Sequence, residues 1–171
     1  EYGIETTTIE MIRQKSDSSV GAIYHHFQNK EGIVAALFFA AQDDLNMLRN
    51  QYLEQASSFE QIISAVIFSY AEWVTTHPDF ARFQYASHFS LSHSSYQDQL
   101  KQKNQEQIRV FISKLKNLNQ SQHLAYPIDL LACLIIGSTE NYSRAWLSGK
   151  VSKTPYEYRH FLAKAALNSL Q

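Results

Sequence analysis

Five glycines and three prolines are all that punctuate 171 residues. These two residue types interrupt helices most strongly, so a chain this poor in them is free to build long ones. The apolar residues are placed to match. From Lys30 onward, Val34, Leu37, Phe38, Ala41, Leu45, Leu48 and Tyr52 recur at three- and four-residue steps, one stripe of an amphipathic helix. Strand-like alternation is scarce. The pattern predicts an all-α protein of about eight helices.

Local signals divide the chain further. Glu1-Tyr2-Gly3 reads as the closing turn of a helix lying before this segment. Thr7 and Glu10 form a capping box that starts a short helix running to about Gln14, and Lys15 to Ser18 reads as a turn. Ser19 caps a second short helix, Val20 to Phe27. Gln28-Asn29 breaks it, and Asn29 caps the long helix from Lys30. Ser57 and Glu60 form another box. The helix they start carries Ile63, Val66, Ile67, Tyr70, Trp73 and Val74 and stops before Pro78. Pro78 and Asp79 open a helix to about Ser90, followed by a serine-rich loop to Ser95. Leu100, Asn104, Ile108, Phe111, Leu115 and Leu118 mark one face of the next helix, and residues 117–125 read as loop. Pro127 begins a helix that ends near Gly149, and Thr154-Pro155-x-Glu157 begins the last. Two short helices therefore precede a body of long ones. The expected units are 1–45 and 46–171, with the helix from Lys30 belonging to both.

Charge and cysteine content remove several classes of function. Fifteen Lys+Arg stand against 16 Asp+Glu, a formal charge of −1. The chain is therefore no globally basic wrapper of nucleic acid, and any such contact must be local. A single cysteine, Cys133, excludes an intrachain disulfide framework and a cysteine-rich zinc site, and its apolar neighbours suggest an inert core thiol. No apolar run, Leu130 to Ile136 included, approaches the roughly 20 residues that span a bilayer. With no secretion signal at its start, the expectation is a cytoplasmic chain with no membrane partner. Catalysis and metal binding find little support. His25 and His26 point to different sides of a helix, and a loop separates His88 from His93 with no carboxylate nearby in sequence. A nucleophile elbow, a phosphate loop and a paired-histidine zinc motif are all missing. No enzyme activity, catalytic residue, cofactor or metal is expected.

Two short helices joined by a four-residue turn suggest a helix-turn-helix, whose second helix enters the major groove of DNA. The run Ser19-Val20-Gly21-Ala22-Ile23-Tyr24-His25-His26-Phe27-Gln28-Asn29-Lys30-Glu31 narrows this reading. Its small polar cap, glycine, aliphatic residue, tyrosine, aromatic step and Lys-Glu resemble the recognition helix and following turn of the TetR family of bacterial one-component regulators. Gly3, Thr7, Thr8 and Ile12 also fall at the family's spacing. The turn departs from it: Ser16-Asp17-Ser18 stands where the family usually has Ala-Gly and an aliphatic residue. Asp17 enters the left-handed region less easily than Gly but more easily than most residues.

Residue chemistry supports the same reading independently. Thr7, Thr8 and Ser19 lie at helix N-termini, where backbone N–H groups and hydroxyls bind phosphate oxygens. Gly21 permits close backbone approach. Val20 and Ala22 can touch a thymine methyl. Tyr24 and His25 can reach phosphates or base edges, and Lys30 supplies a cation to the DNA backbone. Ile9, Ile12, Ile23 and Phe27 read as the core of the small unit.

The resemblance implies that the remainder, which matches the family only in helix number and rhythm, is a ligand-binding and dimerisation domain. In the family the last two long helices pair with their copies. Here these are roughly Ile128 to Leu147 and Pro155 to Leu170, whose two-sided apolar content fits a homodimer. Gly137 and Ser138 would admit a close backbone. Tyr70, Trp73, Phe83, His88, Phe89, Phe111, Tyr142 and Trp146 are candidates to line an effector cavity. Glu140, Asn141 and Arg144 are candidates for ligand contact or for an ion pair across the dimer. The expected effector is a small apolar or aromatic molecule with no charge match, oriented by hydroxyls, His88 or Asn141. The resulting expectation is a ligand-responsive DNA-binding transcriptional regulator, a repressor released from its double-stranded operator by a small molecule. The alternative is a helical dimeric protein-interaction module that has lost operator binding.

Overall fold

A computed structural model describes residues 3–118 and 126–170. The expected turn at Glu1-Tyr2 and most of the expected 117–125 loop lie outside the described residues. Among these residues there are nine helices and no strand: α1 (Gly3–Thr6), α2 (Ile9–Ser16), α3 (Val20–Phe27), α4 (Lys30–Gln55), α5 (Phe59–Thr76), α6 (Pro78–Ser92), α7 (Gln97–Asn117), α8 (Ile128–Leu147) and α9 (Arg159–Asn168).

The caps explain these boundaries. Thr8, not Thr7, caps α2: its Oγ1 accepts from the Met11 N–H at 3.2 Å. The Thr7 hydroxyl instead donates to the Gly3 carbonyl at 2.7 Å. Asp17 closes α2 in the left-handed region at φ 51°. Ser19 Oγ accepts from the Ala22 N–H at 3.0 Å to start α3. Asn29 Oδ1 accepts from the Gly32 N–H at 2.8 Å to start α4. Ser58, one residue later than expected, caps α5 by accepting from Gln61 N–H at 3.3 Å. α6 continues to Ser92, past the expected stop, because Ser92 and Ser94 hydroxyls return to the Phe89 and Leu91 carbonyls at 2.8 Å each. The Thr154–Glu157 box forms reciprocally, at 2.8 and 3.1 Å. It closes a separate turn over 155–158, so α9 starts at Arg159 rather than Pro155.

The helix α5 runs through the middle, packed by α4, α6, α7, α8 and α9. Ile62, Ile63, Ile67, Trp73 and Val74 on it are fully buried, and such burial stabilises by about 1.5–3 kcal/mol per large apolar side chain. At one end α5 meets Leu115, Leu131, Ile135, Ala163 and Ala166; at the other Trp73 and Val74 meet Ala41, Leu45 and Ala81. A third cluster joins the first half of α4 to α6 and α7 through Ala35, Phe38, Phe39, Leu91 and Leu100.

Three expectations about packing change. Leu37 points outward and Phe39 inward, since α4 contacts α5 on one side and α6 on another and its buried arc is displaced from the expected stripe. Phe27 is half-exposed at the end of α3, and Ile9 and Ile12 are half-buried; Ile23 is the residue α3 buries. Cys133 is exposed. The helix α8 buries Leu131, Ile135, Thr139 and Ser143 at four-residue steps, so a residue two places after Leu131 falls on the opposite side.

Candidate functional site

The outward surface of α3 is what a groove-reading helix requires. Ile23 anchors it, while Val20, Gly21, Ala22, Tyr24 and His25 are exposed, Tyr24 at 50%. A Cβ on Gly21 would meet only Ser19 Oγ, at 3.9 Å. Internal packing therefore does not demand glycine there, and the free approach is from outside. The Ser19 and Thr8 oxygens act as cap acceptors, which leaves each hydroxyl proton available to a phosphate oxygen. The Thr7 hydroxyl proton is already engaged on Gly3. Lys30 is half-buried, and its Nζ donates to the Glu5 carbonyl at 2.9 Å, bracing α1 against α4. Two ammonium protons remain for other acceptors. Arg13 is held bidentately by Glu10, at 2.6 and 2.9 Å. That pairing lowers the Glu10 carboxyl and raises the Arg13 guanidinium from their ordinary values.

The break expected at Gln28 forms the α3–α4 joint, and it rests on a glycine that the sequence reading does not single out, Gly32. Gln28 takes φ 64°, and its N–H donates to the Tyr24 carbonyl at 2.9 Å. This sharp reversal brings Phe27 onto the first turn of α4. A Cβ on Gly32 would lie 2.0 Å from the Phe27 carbonyl oxygen and 3.2 Å from the Tyr96 hydroxyl. Gly32 thus sets how closely α3 seats on α4. Its signal, a glycine inside a helical pattern, was present beside Lys30-Glu31.

A cavity of about 650 Å³, open to solvent beside Phe89 and Ile128, lies among α4, α5, α6, α7 and α8. Tyr70, His88, Phe89 and Phe111 line it, as do Glu140 and Arg144. Trp73, Phe83, Asn141, Tyr142 and Trp146 do not. Trp73 is core, and its indole N–H donates to Asp44 Oδ2 at 2.8 Å. Phe83 packs on the α4–α7 cluster and Trp146 on the Trp73 cluster. Asn141 is exposed, and the Tyr142 hydroxyl donates to the Lys153 carbonyl at 2.8 Å. Aromatic spacing on a helix marks a buried face without saying whether protein or cavity lies opposite it.

The polar part of the lining also departs from expectation. The Tyr70 and Tyr85 hydroxyls share a short hydrogen bond. Burial first, then Tyr85 and Glu140, hold the Tyr70 phenol far above its ordinary range, so it stays neutral. The Arg144 guanidinium stacks on the Tyr85 ring at 4.2 Å. Gln42 Nε2 donates to Asn104 Oδ1 at 3.0 Å, joining α4 to α7 at the cavity wall. Arg49 on α4 lines the cavity too; burial pulls its guanidinium down, opposed by Tyr70 and Glu140. In sequence it was one charged residue on a helix.

The cavity is connected to the α3–α4 joint. The helix α7 supplies Asn104, Ile108 and Phe111 to the wall, and it begins beside Tyr96, whose hydroxyl faces Gly32. In the same turn Ser95 Oγ donates to Glu31 Oε1 at 3.4 Å. Outside the cavity lining, Leu130 and Cys133 on α8 and Phe161 on α9 are exposed, the last at 73%. A Cβ on Gly137 would meet nothing within 4 Å. Among the described residues no group of three metal-ligating side chains gathers, and no helix is long and apolar enough to cross a membrane.

Residues 1–37 match the family model described as "Bacterial regulatory proteins, tetR family". No curated protein matches the chain in sequence. Among solved structures the fold is similar to PfmR, a TetR family transcriptional regulator from Thermus thermophilus. The TM-score is 0.69 at 17% identity, over 99% of this chain and 92% of that one.

Proposed function

We propose that this chain is a DNA-binding transcriptional regulator of the TetR family, a repressor whose operator affinity is set by a small molecule in the α4–α8 cavity; the family match over residues 1–37 and the similar fold support the reading. Residues 1–45 read DNA, and residues 46–171 bind the effector and a second copy of the chain.

The observation that carries this reading is the continuity of α4. Its first turn seats α3 through Gly32, and its later turns line the cavity through Gln42, Leu45 and Arg49. A ligand that prefers one spacing of α4 and α7 shifts the seat of α3, and operator DNA that prefers one seat of α3 shifts the cavity in return. Val20, Gly21, Ala22, Tyr24 and His25 face the major groove. Ser19 and Thr8 hold phosphates at helix N-termini, and Lys30 adds a backbone contact with its free ammonium protons. Exposed Leu130 and Phe161, with the open flank of Gly137, support α8–α9 pairing between two copies.

Fluorescence titration of labelled DNA at several salt concentrations tests the role assignments. Lys30→Ala should weaken binding alike on all sequences and reduce the salt slope by about one. Val20→Ala should alter preference at one base step. A Lys30→Ala protein with an unchanged salt slope would leave that side chain with its bracing role alone.

A further inference from the structure

The cavity contains a cation that no described residue neutralises at contact distance. The Arg49 Nε is shielded from solvent and has no hydrogen-bond partner, and one of its Nη atoms donates to a neutral acceptor, Asn46 Oδ1, at 3.3 Å. The ion pairs among the described residues involve other cations. Glu140 lines the same cavity and acts on Arg49 through space, yet it does not come within the 4.0 Å of an ion pair. Arg144 is stacked on Tyr85. Two guanidinium groups against one carboxylate leave the lining with one net positive charge. A half-buried cation whose Nε is shielded and unpartnered opposes folding, and proteins tolerate such a group where binding uses it.

The rest of the lining is largely apolar, with Ile108, Phe111 and Ile112 from α7 and Leu131 and Ile135 from α8. We propose that the effector is an amphipathic organic monoacid whose carboxylate pairs with Arg49 and whose apolar body lies against α7 and α8. The planar guanidinium fork matches a carboxylate. Glu140 disfavours a doubly charged head, and a volume of about 650 Å³ accommodates a ten-carbon body. This inference rests on the effector reading above and specifies its chemistry.

Calorimetric titration of the full chain with decanoate, decanol and decylamine tests it, since the three probes share a body and differ in the head. Decanoate should bind at least about tenfold more tightly than decanol, the scale of one charge-assisted hydrogen-bonded pair, and decylamine should bind most weakly. Arg49→Gln should bring decanoate to the level of decanol and leave decanol within about twofold of its affinity for the unaltered chain. Arg49→Met should melt at or above the unaltered protein, because it removes a half-buried charge with an unpartnered Nε. Equal affinity for acid and alcohol, or unchanged decanoate binding in Arg49→Gln, overturns the anion assignment and leaves the cavity reading standing. Failure of all three probes to bind overturns both. An Arg49→Met protein that melts well below the unaltered chain assigns Arg49 to structural support and also overturns the proposal.

Discussion

A methyl group at position 32 would stand 2.0 Å from the Phe27 carbonyl oxygen, a distance that side-chain rotation cannot relieve because both atoms belong to helix frames. Gly32→Ala must therefore move α3 away from α4. The expected outcome is a loss of about 1–3 kcal/mol of stability and a larger loss of DNA binding than global unfolding explains, measured by thermal melting and DNA titration at a temperature where the variant is folded. Trp73 gives the contrasting case. It is buried on α5, outside the cavity, with its indole N–H on Asp44. Trp73→Ala should cost about 3–5 kcal/mol and remove the hydrogen bond to Asp44. Ligand and DNA responses should then fall together in proportion to the unfolded fraction; a well-folded variant with only its ligand response lost would contradict this packing.

At the scale of elements, what was legible in sequence was what local chemistry decides. Ser19 and Asn29 mark the bounds of α3 and the start of α4, because a short side-chain acceptor before an apolar run has few other uses. Where two adjacent hydroxyls compete, as at Thr7-Thr8 and Ser57-Ser58, the second of each pair caps the helix from an extended backbone, and the spacing alone points one residue early. The cavity was less legible for a different reason. Tyr70 and Trp73 lie three residues apart on α5 and carry the same apolar signal, yet only Tyr70 meets open space, because the approach of α7 and α8 decides what stands opposite each. The turn before α9 yields a prediction at this scale. Hydrogen bonds from Lys153 and from the Thr154 backbone hold the Glu157 carboxyl down at about 2, from an ordinary value of 4.5. Its stabilising contribution is thus complete above about pH 4.5 and is lost as the pH falls through about 2. Melting temperatures of Glu157→Gln and the unaltered chain should differ most at neutral pH and converge on acidification. A gap that stays constant from pH 6 to 2 would remove the carboxylate from the account.

For the whole molecule, one helix carries the argument. The helix α4 seats α3 at one end, and near its middle it contributes Gln42, Leu45 and Arg49 to a cavity whose α7 wall starts against the same seat. Leu130 on α8 and Phe161 on α9 are exposed outside the cavity lining. The proposed function calls for a dimer that presents two copies of α3 to DNA, with base preference residing in Val20, Ala22, Tyr24 and His25. Selection of random double-stranded DNA by the full-length protein, followed by sequencing of the bound fraction, measures that requirement most directly. The expected result is an inverted repeat with half-sites about one or a few helical turns apart, whose base preferences change with Val20→Ala and Tyr24→Ala while the spacing stays fixed. Enrichment of no sequence, or of one indifferent to both substitutions, would contradict the assignment of α3 as the reading helix.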